Sequence, residues 1–257
     1  MGIDPDVVVE ATRLIEAGNA DGCTVRVMGG VAVRMHASTD LHPALRRTYR
    51  DIDLVAGKKD GRKTLNLLKT AGYEANDRFN AMNGGRRLVV YDMDNGRQLD
   101  VFVGEFEMCH KIPIAQRLNL DPLTVPLAEL LLTKLQVVRT NRKDVIDICA
   151  ILLDHDVGET DGETVNAAYI ASLLSGDWGL WRTSRGTIET TRAELPSLDL
   201  EQAQRDLIDS RLTALWNRVE EQPKSFRWKS RAKIGDRSRW YEEPEEIGHR
   251  TLDTDDE

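Results

Sequence analysis

Cysteine is scarce in this 257-residue chain: three residues, Cys23, Cys109 and Cys149, with no short spacing between any two. That excludes a zinc-binding cysteine pattern and a disulfide framework, and it suits a reducing, cytoplasmic compartment. The five histidines are scattered too, and no metal-ligand trio includes them; His110 and His155 are expected as surface or capping residues. No apolar run reaches about 18 residues, so no transmembrane helix and no membrane partner are expected. The opening residues, Met1-Gly2-Ile3-Asp4-Pro5-Asp6, lack the basic and apolar stretches of a secretory leader, so none is expected. Internal repeats are absent, as is low-complexity sequence apart from an acidic end. The length leaves room for one large domain or two modest ones with a sizeable core.

The formal net charge of −8 argues against a nucleic-acid partner, but its distribution argues the other way. Residues 242–257 hold eight acids and one arginine, which leaves the rest of the chain close to neutral. This acidic tail is expected to be disordered. Just before it, residues 224–241 carry Lys224, Arg227, Lys229, Arg231, Lys233, Arg237 and Arg239 against Asp236 alone, with Phe226, Trp228, Trp240 and Tyr241 interleaved. Cations with aromatics suit phosphate contact plus base stacking. An amphipathic segment that packs its aromatics on the domain has the same composition.

The most informative stretch is Tyr49-Arg50-Asp51-Ile52-Asp53-Leu54-Val55. On a strand, Asp51 and Asp53 point one way while Ile52 and Leu54 enter a core. Two carboxylates that close repel unless a cation lies between them, and magnesium takes such hard oxygen ligands while leaving room for phosphate. Upstream, residues 23–28 read as a strand running into Gly29-Gly30 and a helix over 31–36. Strand, paired glycines and helix can cradle a phosphate, and they also serve close packing of helix on strand. Downstream, Asp94-Asn95-Gly96 is a hairpin signal joining strands 86–91 and 97–103. Alternation places Asp100 opposite Leu99, Val101 and Val103, where it can join the first two carboxylates.

Gly-Gly opening a helix, Asp-x-Asp on the next strand and a single Asp on a later strand resemble the nucleotidyltransferase superfamily related to polymerase β. The resemblance implies that Asp51, Asp53 and Asp100 bind two magnesium ions together with a nucleoside triphosphate. Met28-Gly29-Gly30-Val31-Ala32-Val33-Arg34 is similar to the head of tRNA nucleotidyltransferases, and implies that Gly29, Gly30 and Arg34 contact the nucleotide. A second block, Pro126 through Gln136 with Lys134 inside it, followed by Asn141-Arg142-Lys143-Asp144-Val145-Ile146-Asp147-Ile148, resembles the AbiEii-type, or MenT-like, nucleotidyltransferase toxins. The resemblance covers roughly residues 22–155. It adds Lys134 and Asp144 to the expected catalytic set and Lys134 to the nucleotide contacts. Two departures stand out. Gly30 lies where toxin members often carry Ser, and residues 37–49, with His42-Pro43, look like an inserted loop.

Read without the family, Lys134 among leucines can snorkel to solvent or send its ammonium to a triphosphate or carboxylate. Asp144 can simply favour a helix N-terminus. Asp147, on the same helical face, is expected to be structural or to support the site from behind.

The expected fold is α+β: a nucleotidyltransferase-type α/β domain with a mixed sheet over residues 1–120, then a mainly helical domain over 121–241. A first helix is expected through about Ala17, with Asp4 as N-cap and Pro5 at its first position. A helix spans 61–72 with Leu65, Leu67 and Leu68 inward, and Tyr73 starts a strand. Helices are expected over 126–139, 142–154, 163–174 and 200–221. The run Gly176-Asp177-Trp178-Gly179-Leu180-Trp181 breaks the series, with both Trp as core anchors. The leading function is transfer of a nucleoside monophosphate to an acceptor. By resemblance that acceptor is RNA, a tRNA 3′ end first, with an antitoxin protein as partner. The same chemistry on a small hydroxyl compound or a protein hydroxyl, and a catalytically silent nucleotide-binding module, are the alternatives.

Overall fold

The computed structural model describes residues 2–38 and 41–243. Most of the expected acidic tail therefore lies outside the described residues. The fold is α+β, built on a mixed five-stranded sheet flanked and followed by helices. Strands β1 (Val25–Met28), β2 (Ile52–Ala56), β3 (Glu74–Ala75), β4 (Arg87–Asp92) and β5 (Arg97–Val103) take the order β1-β2-β5-β4-β3. Only the central β2–β5 pair is parallel; the other three pairings are antiparallel. A parallel pair needs a crossover, which runs through helix α3 (Gly61–Thr70), β3, helix α4 (Asp77–Met82) and β4.

Helix α1 (Val7–Ala20) begins two residues later than expected. The Asp6 carboxylate, rather than Asp4, accepts from the Val8 and Val9 amides, and the Asp4 carboxylate instead accepts from the Asp6 amide. Helix α2 (Gly29–His36) starts at the first glycine of the pair. On α3 Leu68 is fully buried, whereas Leu65 and Leu67 are only half-buried. Tyr73 precedes β3, buried, and its hydroxyl donates to Glu10 at 2.6 Å. Among its described residues the inserted loop holds a short 3₁₀ turn, Pro43–Leu45.

Two short strands, β6 (Phe106–Glu107) and β7 (Lys111–Ile112), pair before the chain turns helical. Helices α5 (Leu127–Leu135) and α6 (Arg142–Asp154) follow, then a parallel pair, β8 (Val157–Gly158) and β9 (Val165–Asn166), and helix α7 (Ala167–Gly176). The expected break at 176–181 is instead a junction. Asp177 accepts the Leu180 amide at 3.1 Å and caps α8 (Trp178–Glu194), so a seventeen-residue helix starts where a loop was expected. Helices α9 (Gln202–Glu221) and α10 (Phe226–Ile234) follow, and a 3₁₀ turn, Gly235–Arg237, leads to the last described residues. Trp178 is buried, as expected of a core anchor, while Trp181 is half-buried against Trp216 and Trp228.

The sheet and the helical half share one apolar core. Helix α5, buried along nearly its whole length, packs against α2, α6, α7 and α8. The chain just before it lies along β1: the Val27 amide donates to Leu123 and the Val125 amide donates back to Val27, both at 2.9 Å. This seam delivers α5 and α6 to the same end of the sheet as α2.

Candidate functional site

A cavity of about 530 Å³ is lined by Gly30 of α2, by Arg47, Thr48, Tyr49, Arg50 and Asp51 leading into β2, by Asp53, by Lys134 of α5 and by Lys143 of α6. Its size falls in the range of small-molecule sites, about 300–1,000 Å³. Four cations face two carboxylates across it.

Strand alternation creates the acidic floor. Ile52 and Leu54 are fully buried, so the intervening Asp53 points to the other face. Asp53 is in register with Met28 on one side and Asp100 on the other, and register partners in neighbouring strands point the same way. Burial first, and the Asp100 charge second, push the Asp53 carboxyl up to about 7; Lys134 opposes this and Asp51 adds to it. Asp100 is buried and held on both oxygens. Arg87 donates through Nε to Oδ1 at 2.8 Å, and Gln98 Nε2 donates to Oδ2 at 2.7 Å. Asp51 sits just ahead of β2 rather than within it, still on the cavity wall.

Gly29 is there because nothing larger fits. Its φ is +66°, and a Cβ at that position would stand 2.1 Å from Asp53 Oδ2. The backbone at the start of α2 therefore lies directly against the carboxylate. A Cβ at Gly30 would stand 1.8 Å from Arg47 Nη2. The space that a serine side chain would need is filled by a guanidinium from the inserted loop, which ties together the two departures noted in the sequence.

The basic wall is fixed by a buried ion network. Arg47 grips Asp147 in a bidentate pair, Nε to Oδ1 and Nη2 to Oδ2, both 2.7 Å. Lys134 Nζ adds 2.8 Å to Asp147 Oδ2 and 3.3 Å to Asp144 Oδ1. Burial disfavours the Lys134 ammonium, but Asp147 and then Asp144 outweigh it, so its pKa stands above the ordinary lysine value. Burial would raise the Asp147 carboxyl, but Lys134 and Arg47 hold it below the usual carboxylate range. The Arg47 guanidinium also stacks over the Tyr49 ring, 4.4 Å from its centroid. Asp144 closes a capping box with Asn141 at the start of α6 while it contacts Lys134.

Of the residues the sequence singles out, Gly30, Asp51, Asp53 and Lys134 line the cavity. Gly29 and Asp100 adjoin Asp53, and Asp144 reaches the wall through Lys134. Arg34, in the last turn of α2, is not among the lining residues. Asp147 supports the wall from behind, as expected. Arg47, Tyr49, Arg50 and Lys143 also line the cavity, although no motif in the sequence singles them out. The cluster Arg46-Arg47 with Arg50, immediately before the acidic pair, was the available signal. Among the described residues no three His, Cys, Asp or Glu side chains already form a metal cage.

His110 and His155 were expected as surface or capping residues: both are buried rather than at the surface, and His155 is the C-cap residue of α6, its amide donating to the Ile151 carbonyl. The His110 ring shares a hydrogen bond with Thr183 Oγ1 at 2.8 Å, and burial pushes its pKa down to about 4. His155 bridges toward the carbonyls of Glu163 and His36. The basic aromatic segment forms α10 and the residues after it, beside a second cavity of about 700 Å³. Among the described residues no helix is long and apolar enough to cross a membrane. No protein-family model matches the chain, and no curated protein matches it.

Proposed function

We propose that the chain is a metal-dependent nucleotidyltransferase. It moves a nucleoside monophosphate from a nucleoside triphosphate to an acceptor hydroxyl and releases pyrophosphate. Residues 1–120 are then its catalytic domain and 121–241 a helical domain. RNA, with a tRNA 3′ end first, is the acceptor, in the setting of a cytoplasmic toxin countered by an antitoxin. The observation that carries this reading is Gly29 pressed against Asp53, with Asp100 in register one strand away and cations across the cavity.

The donor set fits magnesium. Asp53 and Asp100 lie in register on neighbouring strands with Asp51 just ahead of β2, and the raised proton affinity of Asp53 reflects the desolvation, and then the like-charge crowding, that a hard dication relieves. Asp51, Asp53 and Asp100 would hold the metal. When bound, it neutralises charge on the triphosphate and activates the attacking hydroxyl. The chain's own groups supply the rest. Arg50 and Lys143, exposed at the cavity, draw in a polyanion. Lys134 and Arg47, immobilised by Asp147, present fixed positive charge to phosphate without reorganising. The opening turn of α2 offers backbone N–H groups beside Asp53.

The test is incubation of the protein with each α-labelled nucleoside triphosphate, magnesium and, in parallel, total tRNA, a panel of small hydroxyl compounds and protein acceptors. Label on RNA supports the full reading. Label on a small molecule or protein keeps the chemistry and replaces the acceptor. No label on any acceptor, with triphosphate still bound, favours a silent nucleotide-binding module.

A further inference from the structure

The second cavity lies far along the chain from the acidic pair, between the start of α8 and the residues that follow α10. Its lining includes Arg227, Trp228, Trp240 and Tyr241. We propose that this cavity and the outer face of α10 form a binding site for single-stranded RNA. An unpaired base would enter against the indole and phenol rings, and the sugar–phosphate backbone would follow the cations of α10. The site stands independently of the transfer reaction, since it uses none of the residues around Asp53.

Three observations point to a nucleic-acid strand. First, the cavity combines rings and guanidinium groups. Trp228, Trp240 and Tyr241 are half-buried, so part of each ring stays accessible at the cavity, while the Trp228 indole nitrogen is buried. Their positions are fixed: the Trp240 indole donates to Thr183 Oγ1 at 3.0 Å, and the ring lies edge-on to Trp178. A rigid ring presents a stacking surface without an entropy loss on binding.

Second, the cations divide into two groups. Arg231 is committed to structure, donating to the Gly235 and Ser238 carbonyls at 2.8 and 2.6 Å while covering Trp178. Arg239 is held by Glu243 and by the Tyr241 carbonyl. Arg227, Lys229 and Lys233 are exposed, and their side chains have no partner among the described residues. Arg227 lies at the cavity, and Lys229 and Lys233 share another face of α10, so free cations flank the helix where a phosphate backbone could be neutralised.

Third, Phe226 is 86% exposed at the first position of α10. With Lys229 and Lys233 it falls on one helical face, at spacings of three and seven residues. An aromatic ring held in water beside two unpaired ammonium groups matches the base-and-phosphate repeat of a strand better than an apolar protein surface. Of the carboxylates near the cavity, Glu242 lines it, exposed at the rim where a strand would pass, and the other two are committed elsewhere. Asp177 is engaged in capping α8, and Asp236 is paired with Arg182 at 3.1 Å.

The experiment uses the full chain without triphosphate or magnesium, so that failure of the transfer chemistry cannot affect it. A short labelled single-stranded RNA is titrated and followed by fluorescence anisotropy over a range of salt concentrations. Arg227→Ala should flatten the log–log salt dependence by about 0.7. Phe226→Ala should weaken binding about fivefold or more while leaving the salt slope unchanged. Both side chains are exposed and unpartnered, so melting temperatures should match the wild type, and a matching melt makes any loss a loss of contact. A free nucleoside monophosphate should compete far more weakly than the strand. Four results would overturn the proposal: no RNA binding by the wild type, wild-type binding by both variants, a monophosphate that binds as tightly as the strand, or a base-free polyanion whose binding depends on Phe226 to the same degree. The last result would assign the face to an acidic protein or other polyanion.

Discussion

The two cavities are built from the same residue types and use them in opposite ways. Around Asp53 the inner cations are largely buried and paired: Arg47 and Lys134 converge on Asp147, and Arg87 holds Asp100, while Arg50 and Lys143 stand exposed at the mouth. Along α10 only Arg231 is tied down; Arg227, Lys229 and Lys233 are exposed and have no partner among the described residues. A buried charge without a partner is too costly to keep, so the first region must fix its buried groups in place. An exposed charge is screened and mobile, so the second can afford loose ends. Fixed charges suit chemistry at one atom, and mobile charges suit a flexible polyanion.

The largest effect should come from breaking the buried network. Asp147→Asn leaves Arg47 and Lys134 facing each other with one carboxylate fewer, and denaturant melts should show a loss of about 3–5 kcal/mol. Next comes Gly29→Ala, which places a side chain at φ +66° and 2.1 Å from Asp53 Oδ2. The backbone conformation alone costs about 1–2 kcal/mol, and displacement of Asp53 should remove transfer activity altogether. Lys134→Ala should reduce transfer at least about tenfold. Unlike a snorkelling lysine, it should also lower the melting temperature, because Asp147 and Asp144 lose a buried partner.

A smaller effect concerns pH. The Asp53 carboxyl is raised from 3.8 to about 7 in the fold, so the folded state binds its proton more tightly than the unfolded state. Its contribution to stability is therefore fully present below about pH 4 and is lost as pH rises through about 7. In metal-free solution Asp53→Asn should remove this slope and, at pH 8, leave the protein more stable than wild type by about 1–2 kcal/mol. Added magnesium should flatten the wild-type slope and leave the variant unaffected. The smallest effect should come from the second region: Arg227→Ala and Lys229→Ala should each change stability by no more than about 0.5 kcal/mol. A loss as large as that of Asp147→Asn would erase the contrast between the regions.

What the sequence reveals follows the range of the interaction. The Asp94-Asn95-Gly96 hairpin, the alternation that turns Asp53 and Asp100 from their aliphatic neighbours, and helix α6 all rest on contacts within a few residues, and all were legible. The start of α1 was misplaced because Asp4 and Asp6 are both competent caps, and only one amide pattern can win. Helix α8 was lost because glycine and tryptophan at 176–181 read as a break, although Asp177 is a strong cap. The pairing of Arg47 with Asp147 spans a hundred residues, so nothing local announces it. The burial of His110 and His155 is invisible for the same reason, since their partners Thr183 and the His36 carbonyl come from remote helices.

The central claim is that Asp53, pressed by Gly29 and paired in register with Asp100, carries nucleotidyl transfer. The most direct test compares wild type with Asp53→Asn in a magnesium-dependent assay that follows both label transfer from an α-labelled triphosphate and release of pyrophosphate, with a melting curve for each protein. The account predicts both products from the wild type, neither from the variant, and a variant that melts no lower than the wild type at neutral pH or above. Transfer by Asp53→Asn at the wild-type rate would contradict it.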